Sequence, residues 1–169
     1  LAEVCTEEIQ LITNPQDKAE LYYRLGIIQR DRFKEYAKAK ENFLKAIEYQ
    51  ADLRKALKAL TGLAIRDEDW TQAVKYIAME IAHIQEPEEK VSVLTDLGSL
   101  YQNKLKLIQK ARETFQMALE IDPKAVAAIE ALADIHFAQS EWAQAEPLLS
   151  RLTLMGDKSQ NIRISSIYY

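Results

Sequence analysis

An all-α array of antiparallel helix hairpins is the fold class this sequence predicts, and three observations carry it. Gly and Pro number only four each in 169 residues, which starves a turn-rich β architecture of its punctuation. Ala, Leu, Glu, Lys and Gln fill nearly every long window, and all five are strong helix formers. The chain is also similar to itself at a shift of 72 positions. That shift lays Pro15 on Pro87, Leu25-Gly26 on Leu97-Gly98, Phe43 on Phe115, Leu60 on Leu132 and Trp70 on Trp142, with no gap. Trp, Gly and Pro are rare here, so their coincidence marks a true internal repeat.

Apolar periodicity and stop signals place the elements in order. Helices of a first type are expected at about 16–31, 51–67, 88–103 and 124–139. A second type is expected at about 35–49, 69–84, 107–121 and 141–155. Pro15, Pro87 and Pro123 stand at or just before helix starts, where a missing N–H costs nothing. Asp67-Glu68-Asp69 reads as a turn followed by capping chemistry for the helix opening near Trp70. Pro147 lies about a turn and a half inside its helix, which predicts a mild kink or irregular first turns. Gly156 reads as a helix stop. By the 72-residue shift, Leu1–Leu11 is a second-type helix without its partner, and 158–169 begins a further first-type helix.

Each 72-residue unit splits in two. A large apolar residue followed three positions later by Ala recurs as Tyr36/Ala39, Trp70/Ala73, Ile108/Ala111 and Trp142/Ala145, at spacings of 34, 38 and 34. With Leu94, Leu97-Gly98, Tyr101, Ala111, Phe115, Ala118 and Pro123, the third copy resembles the tetratricopeptide repeat, a helix–turn–helix of 34 residues. The first copy carries Tyr22, Leu25-Gly26, Ala39, Phe43 and Ala46; the second and fourth put Thr61 and Ala133 in place of Gly, and Ile77 and Leu149 in place of Phe. Copies one and three hold one extra residue between their helices, and the alternation is similar to that of long paired arrays in large bacterial repeat proteins. The resemblance implies a right-handed superhelical solenoid. Its segments would be an incomplete repeat at 1–14, repeats at 15–50, 51–86, 87–122 and 123–157, and the start of another at 158–169. Gly26, Thr61, Gly98 and Ala133, facing the second-helix alanines, would let the two helices of a hairpin approach. Tyr36, Trp70, Ile108 and Trp142 would plug the gap near the turn.

Composition narrows function by exclusion. An apolar share of 48% is too high for a disordered chain, and no apolar run approaches the ~18 residues of a membrane helix. Twenty-two basic residues against 26 acidic ones give a net charge of −4, with no basic stripe for nucleic acid or an anionic membrane. The cluster Arg30, Arg32, Lys34, Lys38 and Lys40 is interleaved with Asp31, Glu35 and Glu41, which reads as a salt-bridged solvated surface. Cys5 is alone, so no internal disulfide forms; it occupies a position where the repeat wants a small buried hydrophobe. Neither His83 nor His136 has helical neighbours that complete a metal site, and the four glycines are too scattered for a phosphate loop. No cofactor, metal or catalytic group is expected. With Leu rather than Met at position 1, the chain reads as part of something longer or processed, and a cytoplasmic location is the default expectation.

The resemblance implies a concave face built from the first-type helices and suited to an extended or helical peptide. Position by position it selects Tyr23, Ile27 and Arg30; Lys55, Lys58 and Ile65; Thr95, Ser99 and Gln102; and Glu130, Asp134 and Phe137. Glu20, Gly62, Ser92 and Ala127 lie on the same stripes. Offsets of three and four keep each set on one helix face. Tyr23 with Lys55 and Lys58 would suit an acidic segment near repeats one and two. The carboxylate clamp of chaperone adaptors, which needs Lys-x3-Asn, Asn and Lys-x3-Arg on successive first helices, is not assembled: the register offers Tyr23/Ile27, Ala59 and Ser92/Asp96, or Lys58/Gly62, Asp96 and Ala127/Ala131. The expected function is therefore a non-catalytic protein-interaction scaffold. A structural spacer associating end to end, or the recognition arm of an enzyme whose catalytic domain lies elsewhere, are the alternatives.

Overall fold

The computed structural model describes residues 12–155, and all regular structure among them is helical. Expectations for the helix before Pro15, for Cys5, for the Gly156 stop and for 158–169 lie outside the described residues. Eight α-helices follow in order: α1 Pro15–Ile28, α2 Tyr36–Tyr49, α3 Arg54–Arg66, α4 Trp70–Ile81, α5 Pro87–Asn103, α6 Ile108–Ile121, α7 Val126–Ala138 and α8 Trp142–Met155. The chain divides between His83 and Ile84 into two compact units. In the first, α1 pairs with α2, α3 with α4, and α2 packs on α3; in the second, α5 pairs with α6, α7 with α8, and α6 packs on α7.

Helix starts follow local chemistry. Pro15 and Pro87 open α1 and α5, and Asn14 caps α1 by accepting the Gln16 N–H at 3.0 Å. Asp69 caps α4 by accepting the Gln72 N–H at 3.1 Å. The even first-type helices start later than periodicity suggests, at Arg54 and Val126. A turn precedes each, with the Leu53 N–H donating to Gln50 O and the Ala125 N–H to Asp122 O, both at 3.1 Å. At its other end α4 stops at Ile81, short of the expected 84, where the His83 N–H donates to Glu80 O. Pro147 leaves α8 continuous from Trp142 to Met155, on an exposed side.

The extra residue of the odd repeats has a defined geometry. In copy one, Gln29–Phe33 winds as a π-helical turn, and the Glu35 N–H reaches back six residues to Gln29 O at 2.9 Å. In copy three, the Leu107 N–H reaches Tyr101 O, again six residues back, at 2.8 Å. Even copies close the same turn over five residues, Asp69 to Ala64 at 2.8 Å and Glu141 to His136 at 2.9 Å. All four turns place a non-glycine residue in the left-handed region: Lys34, Glu68, Lys106 and Ser140, with φ of 57°, 56°, 57° and 59°.

The core explains the alternation of strong and weak repeat motifs. Phe43 and Phe115 are fully buried, each against the first helix of its hairpin. A Cβ built on Gly26 would lie 2.5 Å from Phe43 Cε1, and one on Gly98 would lie 2.5 Å from Phe115 Cε1. Glycine is required there by the close approach of the ring. Where Thr61 and Ala133 replace glycine, the facing residues shrink to the buried Ile77 and Leu149. Size is conserved across the pair, as close packing demands. Ala39, Ala73 and Ala111 are fully buried and Ala145 nearly so, as their small size predicts. Trp142 meets Phe137 edge-on across the turn between α7 and α8, yet it remains 55% exposed, so it covers the turn from the surface.

Candidate partner-binding faces

In the first unit, α1 and α3 bring Tyr23 and Lys55 together. Lys55 Nζ lies 4.8 Å from the centre of the Tyr23 ring and forms an ion pair with Glu20. Tyr23 also leans on Phe43, 5.8 Å between ring centres. Lys58 is a turn further on, 3.5 Å from Glu80 Oε1, and Arg54 is 3.4 Å from the same oxygen. Glu80 is buried, so the two cations offset the cost of removing its carboxylate from water. Both lysines expected to meet an acidic segment therefore already hold carboxylates of their own chain, although each remains roughly half exposed.

The rest of the first-unit set is more structural than expected. Ile27 is half-buried against the core. Arg30 grips Asp31 through two hydrogen bonds, 2.7 Å from Nε and 3.0 Å from Nη2. Those bonds raise the guanidinium pKa and hold the Asp31 carboxyl below its ordinary range. Of the same basic cluster, Lys38 is also paired, its Nζ 2.8 Å from Glu35. Ile65 stands 42% exposed at the far end of α3.

In the second unit, Thr95, Ser99 and Gln102 are half-buried along α5, while Glu130, Asp134 and Phe137 are exposed along α7. Thr95 Oγ1 donates to Val91 O at 2.8 Å. Between α5 and α7 lies a hollow of about 340 Å³, bordered by Glu88, Asp96 and Asp122 and floored by Val91, Ala125 and Val126. Ser92, Thr95 and Ala127 complete its wall. The helical stripes pick out Ser92, Thr95 and Ala127 but miss the acids: Asp96 lies one residue off the stripe, and Asp122 belongs to the turn before α7. Asp122 holds that turn by accepting the Lys124 N–H at 2.8 Å.

Elsewhere in this unit His136, buried at the end of α7, lies 2.6 Å through Nδ1 from Glu141 Oε2; Arg112 from α6 reaches the same oxygen at 3.0 Å. The bond from His136, reinforced by Arg112, holds the Glu141 carboxyl below its ordinary range. This clasp ties α6, the end of α7 and the turn before α8 rather than offering a site. Among the described residues no three His, Cys, Asp or Glu side chains are grouped to hold a metal, and no helix is long and apolar enough to cross a membrane.

Comparison with known proteins agrees with this architecture. A crystal structure of MamA matches with a TM-score of 0.62 at 15% identity, covering 89% of this chain and 83% of that one. A MamA RS-1 double mutant matches at 0.60 and 15%, covering 90% and 81%. PilF of Pseudomonas aeruginosa matches at 0.60 and 17%, covering 89% of this chain and 68% of its own. No curated protein matches the sequence. Two family models, both described as tetratricopeptide repeat, match residues 19–53 and 105–164, together more than half of the chain. Such repeats form protein–protein interaction modules and are generally non-catalytic scaffolds. Hairpins with Gly–Phe or Thr/Ala–aliphatic contacts, repeated turns and these matches lead to one assignment: the chain belongs to the tetratricopeptide repeat family.

Proposed function

We propose that this chain holds a peptide or partner segment on the faces of its first-type helices, as a non-catalytic interaction scaffold. One observation carries the reading. Beside the Leu, Ile and Ala residues they bury, neighbouring first-type helices of each unit carry charged and polar side chains next to one another, as Lys55 of α3 over Tyr23 of α1 shows. Lys55, Lys58 and Ile65 are exposed on α3, and Ser92, Ala127 and Glu130 on α5 and α7. In the first unit Tyr23, Lys55 and Lys58 receive an acidic segment, whose carboxylates exchange with Glu20 for the ammonium over the Tyr23 ring. The exchange keeps the pairing while adding contact with the ring, so the gain comes from the aromatic plate and buried area rather than from new charge.

The test is partner recovery on immobilised protein, comparing the natural chain with Tyr23→Ala/Lys58→Glu. Loss of a specific partner with helicity unchanged supports the proposal, and undiminished recovery refutes it.

A further inference from the structure

We propose that the hollow between α5 and α7 receives the side chain of a lysine from a basic segment of a partner protein. The inference rests on the scaffold reading above and deepens it for the second unit.

The chain's own first unit supplies the argument. Under the 72-residue shift, Thr95 corresponds to Tyr23, Ser92 to Glu20 and Ala127 to Lys55. In the first unit the Lys55 side chain lies across this place, its ammonium over Tyr23 and paired with Glu20. In the second unit the lysine is cut back to Ala127 and the tyrosine to Thr95, and a hollow of about 340 Å³ stands there. The charge at its border changes sign as well. Glu88 replaces Gln16, Asp96 replaces Arg24, and Asp122 replaces Gln50. Three carboxylates thus border the hollow, and no basic side chain lines it.

The lining fits one kind of occupant. Val91, Ala125 and Val126 offer an aliphatic floor for a methylene stem, and the carboxylates stand where an ammonium would end. Thr95 spends its proton on Val91 O, so its oxygen presents only acceptor capacity, as a cation requires. The first unit holds a lysine of its own, and the second is built to take one from outside.

The test is an NMR titration of the full chain with acetylated, amidated pentalysine, with pentaglutamate in parallel. Saturable shifts at the amides of Val91, Thr95, Asp96 and Ala125–Ala127 are expected. Ala127→Lys supplies the lysine internally at an exposed position and should weaken those shifts at least tenfold without lowering the melting temperature. Asp96→Asn should weaken them while leaving the fold intact. Shifts spread over the whole acidic surface, shifts driven by pentaglutamate, shifts that appear on concentrating the protein alone, or unchanged binding to Ala127→Lys each overturn the proposal. If the hollow ignores pentalysine while Tyr23→Ala/Lys58→Glu still loses its partner, this inference falls and the scaffold reading stands. The opposite pattern keeps the hollow and removes the first-unit site.

Discussion

Gly98→Ala and Gly62→Ala are the same substitution inside the same type of helix, and they are expected to act in opposite directions. At Gly98 the new methyl would lie 2.5, 2.7 and 2.8 Å from Cε1, Cδ1 and Cζ of Phe115. Carbon contacts settle at about 3.5–4.0 Å, so the ring must retreat by about 1 Å. Phe115 is fully buried and has no open side to retreat into. Overpacking of this kind costs about 1–3 kcal/mol, against which the better helix propensity of Ala returns about 1 kcal/mol. A net loss of up to about 2 kcal/mol follows, or up to roughly 8 °C in melting temperature for a chain of this size. At Gly62 a Cβ meets nothing within 4 Å, and only the propensity gain of about 0.5–1 kcal/mol remains. Urea and thermal unfolding followed by circular dichroism at 222 nm measure both. Phe115→Leu copies the Ala133/Leu149 pairing, so in its background Gly98→Ala should cost at least about 1 kcal/mol less than in the natural chain. Stabilisation by Gly98→Ala comparable to that at Gly62, or strict additivity with Phe115→Leu, would refute the steric account.

Three further outcomes are expected. Lys106→Gly and Ser140→Gly relieve a left-handed backbone and should each raise stability by up to about 1 kcal/mol in urea unfolding, provided no turn contact is lost. Arg54→Val should destabilise by about 3 kcal/mol, because Glu80 stays buried with one fewer cation; Arg54→Val/Lys58→Glu/Glu80→Leu copies Val126, Glu130 and Leu152 and should recover to within about 1 kcal/mol of the natural chain in the same assay. Glu141 has a depressed folded pKa, so its stabilising contribution is present above the ordinary glutamate range and disappears as pH falls through the folded value. Its side-chain carbon should titrate in NMR below the ordinary range, return toward it in His136→Phe, and the stability advantage over Glu141→Gln should vanish across that acidic interval.

The helical periodicity and the 72-residue shift made the hairpins legible because both are patterns in the order of residues and need no knowledge of what packs on what. The late starts of α3 and α7 were harder, since a turn of three residues at Gln50 or Asp122 has the composition of a helix. The exposure of Trp142 was hidden for a different reason. Its sequence position matches Trp70, but the identity of a residue does not say how far its neighbours close over it, and Phe137 meets it at the surface. The pairing of Lys55 with Glu20 spans 35 residues and two helices, so no local pattern announces it. Read as a stripe, Lys55 is a free cation; packed beside α1, it is half of an ion pair.

The second half of the chain acts as an internal control on the first, and that separates packing from recognition. Positions that hold the hairpins together survive the shift in matched sets: Gly26 with Phe43 as Gly98 with Phe115, and Lys34 with Lys106 at the turn. Positions on the stripes beside those glycines do not. Tyr23, Arg24 and Lys55 become Thr95, Asp96 and Ala127, trading bulk for space and positive charge for negative. The turn geometry and the Gly–Phe contact of the hairpin do not require both versions, because they are the same beneath them. A surface whose charge changes over the same hairpin frame is free to differ in what it touches. The two faces should therefore be assayed with oppositely charged segments rather than as one uniform groove, and a single ligand displaced equally by Lys58→Glu and Asp96→Asn would count against that division.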